Sequence, residues 1–345
     1  MTGTLAEAAQ TMRGRLVGAD KAFRGVSTDT RGIRADELFV ALEGPHFDGS
    51  AFVSTAAEKS AAGAVVREPI DSHLAQICVP DTLAALGSLA ADWRRQMPAR
   101  VVGLTGSNGK TTVKEMIASC LSAVANTLAT EGNLNNEIGV PLTLLRLSAK
   151  HQFAVIEMGA NHAGEIARLT EHAAPHVVAL TNAGPAHLEG FGSIEGVAHA
   201  KGEILQGMPR PEFAVLNADD EYFDLWCSLA GDVPIISFGA SEKADVRVSN
   251  IETAGNGISF NLSLQDVQLS IELPLAGLHN AINAAAAAAV ATALNVTPEL
   301  IRAGLGNTQP VGGRLRAVEG RDGLRVFDDS YNANPSSVLA AAQFL

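Results

Sequence analysis

The most constraining feature of this chain is a ten-residue run at 103–112, Gly-Leu-Thr-Gly-Ser-Asn-Gly-Lys-Thr-Thr. It follows two apolar residues, Val101 and Val102, and precedes apolar residues at helical spacing, so it predicts a glycine-rich loop between a strand and a helix. Gly106 and Gly109 let the backbone curl so that successive N–H groups point at one anion. The positive end of the following helix adds to that attraction. The run therefore predicts a phosphate-binding loop, which makes nucleotide binding the first functional expectation.

The polar residues of this loop have separate parts in the prediction. Lys110 supplies a mobile cation for terminal phosphates, and the hydroxyl of Thr111 is suited to ligating Mg²⁺. The strict pattern G-x-x-x-x-G-K-[ST] would place glycine at position 104, where this chain has Leu104. The alternative is a glycine-rich turn with a chance lysine, which the strand before it and the helix after it disfavour. The predicted cofactor-binding residues of the loop are Gly106, Ser107, Asn108, Gly109, Lys110, Thr111 and Thr112.

Composition argues against several other classes of protein. Asp and Glu (37) outnumber Lys and Arg (25), and the net charge of −12 disfavours a nucleic-acid partner, since phosphodiester backbones favour a basic face. The three cysteines have no paired spacing, so a disulfide framework or a thiolate zinc site is not expected. Charges interrupt the first apolar pattern, unlike a signal peptide, and the alanine-rich run Ala284–Ala293 is too short to span a bilayer. We expect a monomeric cytoplasmic protein with neither nucleic acid nor membrane as a partner.

The order of apolar segments divides the chain into three parts of an α/β protein. Residues 1–98 are typical of a small α/β domain. Residues 99–313 alternate strands and helices, which predicts a mainly parallel sheet flanked by helices, with an antiparallel extension after Ala244. Residues 314–345 offer a strand and a helix, typical of the start of a third, Rossmann-like domain. Because one strand and one helix cannot form a core, we expect a further domain to belong here and this chain to be inactive alone.

Three polar residues lie near the ends of predicted strands or beyond them, where open α/β sheets bind ligands. Glu157 ends the apolar strand 153–157 and is interpreted as a direct or second-sphere Mg²⁺ ligand, with a surface carboxylate as the alternative. His187 follows the strand at 177–181 and has two interpretations, a metal ligand or a structural histidine. Lys201 lies in a helical pattern and, on local evidence, would be a solvated surface lysine.

Two further polar clusters have both a structural and a ligand-binding interpretation. Asn133, Asn135 and Asn136 suit recognition of a polar ligand, but an asparagine-rich turn is nearly as well supported. The second cluster consists of Ser27, Thr28, Asp29 and Arg31. It is a capped turn by default, or an anion- or base-binding pocket if its side chains face a ligand.

Taken together, these segments resemble the Mur ligase family, the ATP-dependent amide-forming enzymes of peptidoglycan synthesis. The resemblance follows essentially the whole chain in order. It rests on Thr-Gly-Ser-Asn-Gly-Lys-Thr-Thr, Asn-Asn-Glu-Ile-Gly, Ile-Glu-Met-Gly-Ala-Asn-His, Ala-His-Leu-Glu-Gly-Phe-Gly, Ala-Lys-Gly-Glu, Gly-Leu-His-Asn-Ala-Ile-Asn-Ala and Asp-Asp-Ser-Tyr-Asn-Ala-Asn-Pro. The Gly-Ala-Asn-His and Asp-Ser-Tyr-Asn-Ala-Asn-Pro forms are most similar to the members that join D-Ala-D-Ala to UDP-MurNAc-tripeptide.

The resemblance implies a role for each part of the chain. It implies UDP-MurNAc binding by residues 1–98, ATP binding by 99–313, and the start of the C-terminal ligase domain at 314–345. The implied catalytic residues are Lys110, Glu157, His187, Lys201 and Arg314, with Arg314 reaching the terminal phosphate. The implied metal-site residues are Thr111, Glu157, His187 and Lys201, and carbamylation by CO₂ would turn Lys201 into an anionic oxygen ligand for Mg²⁺. The implied adenosine contacts are His279, Asn280 and Asn283 on the adenine side and Asp329 on the ribose. The implied substrate contacts are Ser27, Thr28, Asp29, Arg31, Asn133, Asn135 and Asn136.

The reaction expected from this resemblance is formation of an amide through an acyl phosphate, with ATP and Mg²⁺. Other interpretations stay open at this point. One is a sister ligase that adds a single amino acid, or glutamates to a folate. Others are a module that binds nucleotide and UDP-sugar without turnover, or a phosphate-loop kinase acting on a small hydroxyl compound.

Overall fold

The computed structural model describes residues 1–44, 47–185, 188–254, 257–314, 316–319 and 325–331, together with Val338 and Ala342. The strands are β1 (Thr2–Thr4), β2 (Arg15–Val17), β3 (Ala22–Arg24), β4 (Val26–Ser27), β5 (Leu38–Val40), β6 (Glu43–Gly44), β7 (Phe47–Asp48), β8 (Gly63–Val66), β9 (Gln76–Cys78), β10 (Arg100–Thr105), β11 (Thr127–Ala129), β12 (Phe153–Glu157), β13 (Val177–Leu180), β14 (Phe213–Asn217), β15 (Ile235–Gly239), β16 (Val246–Ala254), β17 (Gly257–Leu264), β18 (Val267–Leu273), β19 (Arg316–Glu319) and β20 (Arg325–Asp328). The α-helices are α1 (Leu5–Thr11), α2 (Val53–Glu58), α3 (Thr82–Gln96), α4 (Lys110–Ser122), α5 (Gly139–Leu144), α6 (Glu165–Ala173), α7 (Leu188–Phe191), α8 (Ile194–Gly202), α9 (Phe223–Ala230), α10 (His279–Ala293) and α11 (Pro298–Gly306). Short 3-10 helices lie at Gly49–Phe52 and Glu203–Gln206.

The chain forms two compact units that are not simple consecutive halves. One unit combines Met1–Pro98 with Glu131–Ala149, and the other combines Ala99–Thr130 with Lys150–Leu345. The asparagine cluster and α5 therefore belong to the unit that contains the N-terminus. Residues 314–331 belong to the same unit as the phosphate loop, where β19 and β20 pair as an antiparallel ribbon. The predicted third domain stays a prediction, and the helix expected after position 335 falls largely outside the described residues.

The first unit is built on a five-stranded sheet in the order β2-β9-β8-β5-β4. Four strands are parallel, and β2 runs antiparallel to its neighbour β9. Helix α1 begins at a capping box, in which Thr4 Oγ1 accepts the N–H of Glu7 and the Glu7 carboxylate accepts the N–H of Thr4. One core cluster of this unit consists of Ile33, Phe39, Ala41, Val53, Ala56, Ala61, Ala64, Val66 and Leu74. The predicted small α/β fold is confirmed.

The second unit is built on a nine-stranded sheet in the order β11-β12-β10-β13-β14-β15-β16-β17-β18. All pairings from β11 along the sheet to β16 are parallel, whereas β16 pairs with β17, and β17 with β18, in antiparallel fashion. This confirms the predicted parallel sheet with its antiparallel extension. Helices α4 and α10 pack on each other and supply much of the core beside the sheet. The residues from Ala284 to Ala291 are all buried, because their short side chains let α10 approach closely.

The order of strands places the phosphate loop at a switch point of the large sheet. Strand β10 lies between β12, which continues toward β11, and β13, which continues toward β14. Open α/β sheets bind ligands beyond the carboxyl ends of their strands at such a point. Among the described residues, no helix combines the length and the apolar character that a membrane-spanning segment requires.

Candidate active site

The loop that links β10 to α4 is shaped by two glycines whose neighbours leave no room for a side chain. Gly109 has a φ of 78° and forms the N-cap of α4, which begins at Lys110. A Cβ on Gly109 would lie 2.7 Å from Asn283 Oδ1, and a Cβ on Gly106 would lie 1.9 Å from Thr181 Oγ1. The loop is therefore a backbone cradle at a helix N-terminus, the arrangement that binds phosphate.

A second loop, at the carboxyl end of β13, braces the phosphate loop. The hydroxyl of Thr181 donates to the carbonyl of Asn108 at 2.8 Å, and the N–H of Asn108 donates to Asn182 Oδ1 at 2.9 Å. The hydroxyl of Ser107 accepts the N–H of Gly184 at 2.9 Å. These bonds fix the orientation of the loop's backbone groups. Sequence reasoning missed this bracing role, although the polar run directly after an apolar strand was a usable signal.

Lys110 lies over its own loop. Its Nζ donates to the carbonyl oxygens of Gly106, at 2.7 Å, and Ser107, at 3.1 Å. Desolvation lowers the pKa of Lys110, the charge of Glu157 acts in the opposite direction, and the charge of Arg314 lowers the pKa further. Three of the predicted catalytic residues are thus within electrostatic range of one another. Thr112, the last predicted loop residue, is half-buried in the first turn of α4.

Arg314 contacts the first turn of α4 directly. Its Nη2 donates to Thr111 Oγ1 at 2.9 Å, and its guanidinium lies over the ring of Tyr331, 4.4 Å from the centroid. Its Nε is buried and has no hydrogen-bond partner among the described residues. A cation held against the threonine of a phosphate loop, with a donor to spare, is suited to an anionic ligand. Sequence reasoning placed Arg314 here but missed Tyr331 as its neighbour.

Glu157 reaches the same end of the sheet from β12. In the parallel register it lies beside Leu104 of β10, and its side chain is buried. Its backbone N–H donates to Thr130 Oγ1 at 3.0 Å. Since β12 is parallel to β10 and its last residue pairs with Leu104, Glu157 lies beside the start of the loop.

Lys201 differs from its local prediction as a solvated surface lysine, which is wrong. It lies on α8 with 2% of its surface exposed, Nζ is 3.5 Å from the carbonyl oxygen of Ala160, and the ammonium is 5.5 Å from the ring centroid of Phe191. Burial, and then the charge of Lys110, lower the pKa of Lys201 to about 7, while Glu165 and Glu203 act in the opposite direction. An amine with this pKa is substantially neutral near neutral pH and is therefore nucleophilic.

The residues predicted on the adenosine side gather at the start of α10. Asn283 Nδ2 donates to Asn280 Oδ1 at 2.8 Å, and Asn280 Nδ2 donates to the carbonyl of Ala276 at 2.6 Å. His279 is the first residue of α10, and desolvation of its imidazole lowers the pKa of His279 against the opposing effect of the Asp329 charge. His279 and Asp329 are therefore near each other, and Asn283 lies against Gly109. His187, predicted as a metal ligand, lies outside the described residues.

In the first unit, the predicted UDP-sugar residues form a turn that satisfies its own polar groups. Arg31 makes a fork of hydrogen bonds to Asp29, the shortest being 2.7 Å from Nη2 to Oδ2, and this lowers the pKa of Asp29 to about 2. Ser27 Oγ accepts the N–H of Asp29 at 3.2 Å and donates to its carbonyl at 3.0 Å, and Thr28 is half-buried. Arg31 nevertheless remains 90% exposed, so the turn presents a cation to solvent.

The asparagine cluster lies in the segment before α5. Asn136 Oδ1 accepts the N–H groups of Ile138, at 3.1 Å, and Gly139, at 2.9 Å, so Asn136 acts as a helix-start acceptor. The N–H of Asn135 donates to the carbonyl of Asn133 at 2.7 Å, and the side chain of Asn133 is exposed. Asn136 thus has a clear structural role, and a substrate role for all three residues stays a prediction.

Comparison with known proteins agrees with this arrangement. The family profile described as the Mur ligase middle domain matches residues 104–291. The UDP-N-acetylmuramoyl-tripeptide–D-alanyl-D-alanine ligase of Escherichia coli (strain K12) is 45% identical over 343 residues, which cover 99% of this chain and 76% of the relative. The corresponding ligase of Bacillus subtilis (strain 168) is 36% identical over 92% of this chain and 69% of its own length. This chain belongs to the Mur ligase family, in its MurF branch.

Solved MurF structures share the fold throughout the chain. A crystal structure of MurF from Acinetobacter baumannii has a TM-score of 0.95 at 39% identity, covering all of this chain and 76% of that protein. MurF from Thermotoga maritima, crystallised in complex with ADP, has a TM-score of 0.82 at 28% identity, covering 93% of this chain and 74% of that protein. The chain spans about three quarters of the length of these relatives.

The residues present fit the groups that Mur ligases require. The glycine cradle and Lys110 fit the phosphates of ATP. Thr111 and Glu157 offer hydroxyl and carboxylate oxygens, the hard donors that Mg²⁺ prefers. Within the described residues, no three His, Cys, Asp or Glu side chains converge as a ready-made metal cluster. Magnesium ions in phosphate-transfer sites are usually held by one or two protein oxygens together with substrate phosphates.

Proposed function

We propose that this chain provides the ATP and UDP-sugar sites of a ligase that joins D-Ala-D-Ala to UDP-MurNAc-tripeptide through an acyl phosphate. The observation that carries the proposal is the placement of Arg314 on Thr111, at the loop that also holds Lys110, in a chain of the MurF branch. Two cations, Lys110 and Arg314, and the carboxylate of Glu157 lie at the same end of the sheet, where their charges are complementary.

The reaction needs the negative charge of ATP to be offset, because a carboxylate must approach the γ-phosphate. Lys110, the N–H groups of the phosphate loop and Arg314 supply that charge from fixed positions. The peptide carboxylate attacks the γ-phosphorus, and the bond to ADP breaks. The amine of D-Ala-D-Ala then attacks the acyl carbon and loses a proton, and phosphate leaves as the amide forms.

Magnesium fits this site as a partner of the phosphates. Thr111 Oγ1 and the Glu157 carboxylate would hold it, with His187 a further ligand by family resemblance. When bound, the ion would neutralise charge on the phosphate oxygens. The same hydroxyl of Thr111 also accepts a hydrogen bond from Arg314 Nη2.

We propose that Lys201 is carbamylated. Its neutral amine would attack the carbon of CO₂, form an N–C bond and release a proton, which leaves an anionic carbamate. The pKa of about 7, caused mainly by burial, leaves about half of the amine neutral at pH 7. The carbamate would place oxygen donors beside the phosphates, where the free amine offers none.

The proposal assigns a task to each part of the chain. Residues 1–98 would bind UDP-MurNAc, with Ser27, Thr28, Asp29 and Arg31 in the pocket, and 99–313 would bind ATP. Residues 314–345 would begin the C-terminal ligase domain, from which Asp329 contacts the ribose. Asn133, Asn135 and Asn136 would contact the muramoyl-peptide. The reaction would take place in the cytoplasm, where the family's precursors are made.

Transfer of ¹⁸O tests the acyl phosphate directly. UDP-MurNAc-tripeptide labelled with ¹⁸O in its reacting carboxylate is incubated with ATP and D-Ala-D-Ala, using this chain and a form extended past Leu345. We expect one ¹⁸O in each phosphate released by the extended form. The Lys110→Ala variant should release none, and the exposed Lys243→Ala variant should match the parent. Unlabelled phosphate accompanying amide formation would rule out the mechanism.

A further inference from the structure

Lys114 is a lysine that the fold buries completely. It lies on α4 one turn after Lys110, and 1% of its surface is exposed. Its Nζ donates to the backbone carbonyl of Thr130 at 2.6 Å and pairs with Glu115 Oε1 at 2.8 Å. An ammonium taken out of water destabilises a fold unless its partners compensate, and an apolar side chain would fill the same space without that cost. Its presence therefore calls for a role beyond packing.

Thr130, the hydrogen-bond partner of Lys114, is the first residue after the edge strand β11. Strand β11 ends at Ala129, which pairs with Val155, so the N–H of Glu157 lies beyond the ladder and needs another acceptor. Thr130 provides it through Oγ1, which accepts that N–H at 3.0 Å, while its own N–H donates to the carbonyl of Val155 at 3.0 Å. Thr130 is 1% exposed and is held from both sides, by the end of β12 and by Lys114.

We propose that Lys114 is a positioning residue for the Glu157 carboxylate. The ammonium fixes the backbone of Thr130, and the hydroxyl of Thr130 fixes the backbone of Glu157. Both links are buried, so they are short, dry and little screened by solvent. The inference rests on the proposed function, in which Glu157 holds the metal ion. Outer partners that orient a metal ligand typically change metal affinity about 10- to 100-fold when removed.

Mn²⁺ binding to the complex with a non-hydrolysable ATP analogue tests this link without requiring turnover. Free Mn²⁺ is measured by electron paramagnetic resonance, and affinity for the analogue alone is measured in EDTA. Lys114→Met keeps the length of the side chain and removes its charge, whereas Thr130→Val keeps the shape and removes the hydroxyl. Glu157→Gln removes the proposed ligand charge. Lys243→Met, at an exposed site, is the matched control.

We expect Lys114→Met and Thr130→Val each to weaken Mn²⁺ binding about tenfold, with affinity for the analogue in EDTA unchanged within about twofold. Lys114→Met should add nothing further in a Glu157→Gln background, since both changes act on one carboxylate. The nearly isosteric Thr130→Val keeps the test decisive if Lys114→Met does not fold.

Two results would overturn the inference, and they are distinguishable. If Glu157→Gln weakens Mn²⁺ binding while Thr130→Val lowers only the melting temperature, Lys114 and Thr130 are structural and the proposed function stands. If Glu157→Gln leaves Mn²⁺ affinity unchanged, the metal role of Glu157 fails, and the inference fails with it.

Discussion

Replacing Gly109 by Ala tests whether the phosphate loop is preset by its surroundings. At a φ of 78°, an alanine is strained by roughly 1–2 kcal/mol relative to glycine. Its Cβ would also lie 2.7 Å from Asn283 Oδ1, so Asn283 must move and give up its 2.8 Å hydrogen bond to Asn280. That bond contributes about 1 kcal/mol. We therefore expect Gly109→Ala to lower the free energy of unfolding by about 2–3 kcal/mol and to weaken ATP binding at least tenfold.

Gly164→Ala is the matched control, because Gly164 is also a helix N-cap with φ 84°. Its added Cβ would meet only the end of the Arg168 side chain, at 3.3 Å. Gly164→Ala should lower the free energy of unfolding by roughly 1–2 kcal/mol. Urea unfolding in a Trp93→Phe background leaves buried Trp226 as the reporter of the second unit. Equal losses in the two variants would refute the reasoning about Asn283, and a loss below about 0.5 kcal/mol in Gly109→Ala would refute the strain itself.

Three further predictions concern individual side chains of the two units. The amount of carbamate on Lys201, measured by ¹³C NMR with labelled bicarbonate, should rise as the pH increases from 6 to 8. With a pKa of about 7, the amine is about one tenth neutral at pH 6 and about nine tenths neutral at pH 8. A carbamate signal that falls over this range would contradict the assignment. Tyr331→Ala should weaken ATP binding about three- to fivefold in calorimetry, because it removes the aromatic face under Arg314, whereas Tyr331→Phe should bind ATP like the parent. An equal loss of ATP affinity in both variants would exclude a role for the ring contact. Arg31→Ala should leave the urea midpoint unchanged, because its pair with Asp29 is exposed, but should weaken UDP-MurNAc binding at least tenfold in calorimetry; unchanged binding would remove Arg31 from the pocket.

Much of the second unit was predictable because its signals are local. In the run at 103–112, the glycines indicate a loop and the residues after them indicate the start of a helix. Apolar strands such as Phe153–Glu157 are bounded by turn residues. Neighbouring strands of a parallel sheet have their carboxyl ends at the same edge, which is why Glu157 could be expected near the loop, and its metal role stays a prediction. Strand β11 escaped notice because it has only three residues and lies at the edge of the sheet.

Other features depend on which parts of the chain meet in space. Lys114 and Lys201 lie on helices in patterns that do not distinguish a buried lysine from a solvated one. In the folded chain, Lys114 contacts Thr130, and Lys201 contacts Ala160 and Phe191. Likewise, α5 follows β11 in sequence but packs on α3 of the first unit. A prediction with a single domain boundary after Pro98 could not show that residues 131–149 belong to the first unit.

The most direct test of the central claim is phosphate release from ATP with UDP-MurNAc-tripeptide, with and without D-Ala-D-Ala, and product identification by mass. It is run with this chain and with a form extended past Leu345. We predict that the extended form releases one phosphate per amide formed and that sustained release requires both substrates. Phosphate release that ignores both substrates, or phosphorylated product without an amide, would contradict the account.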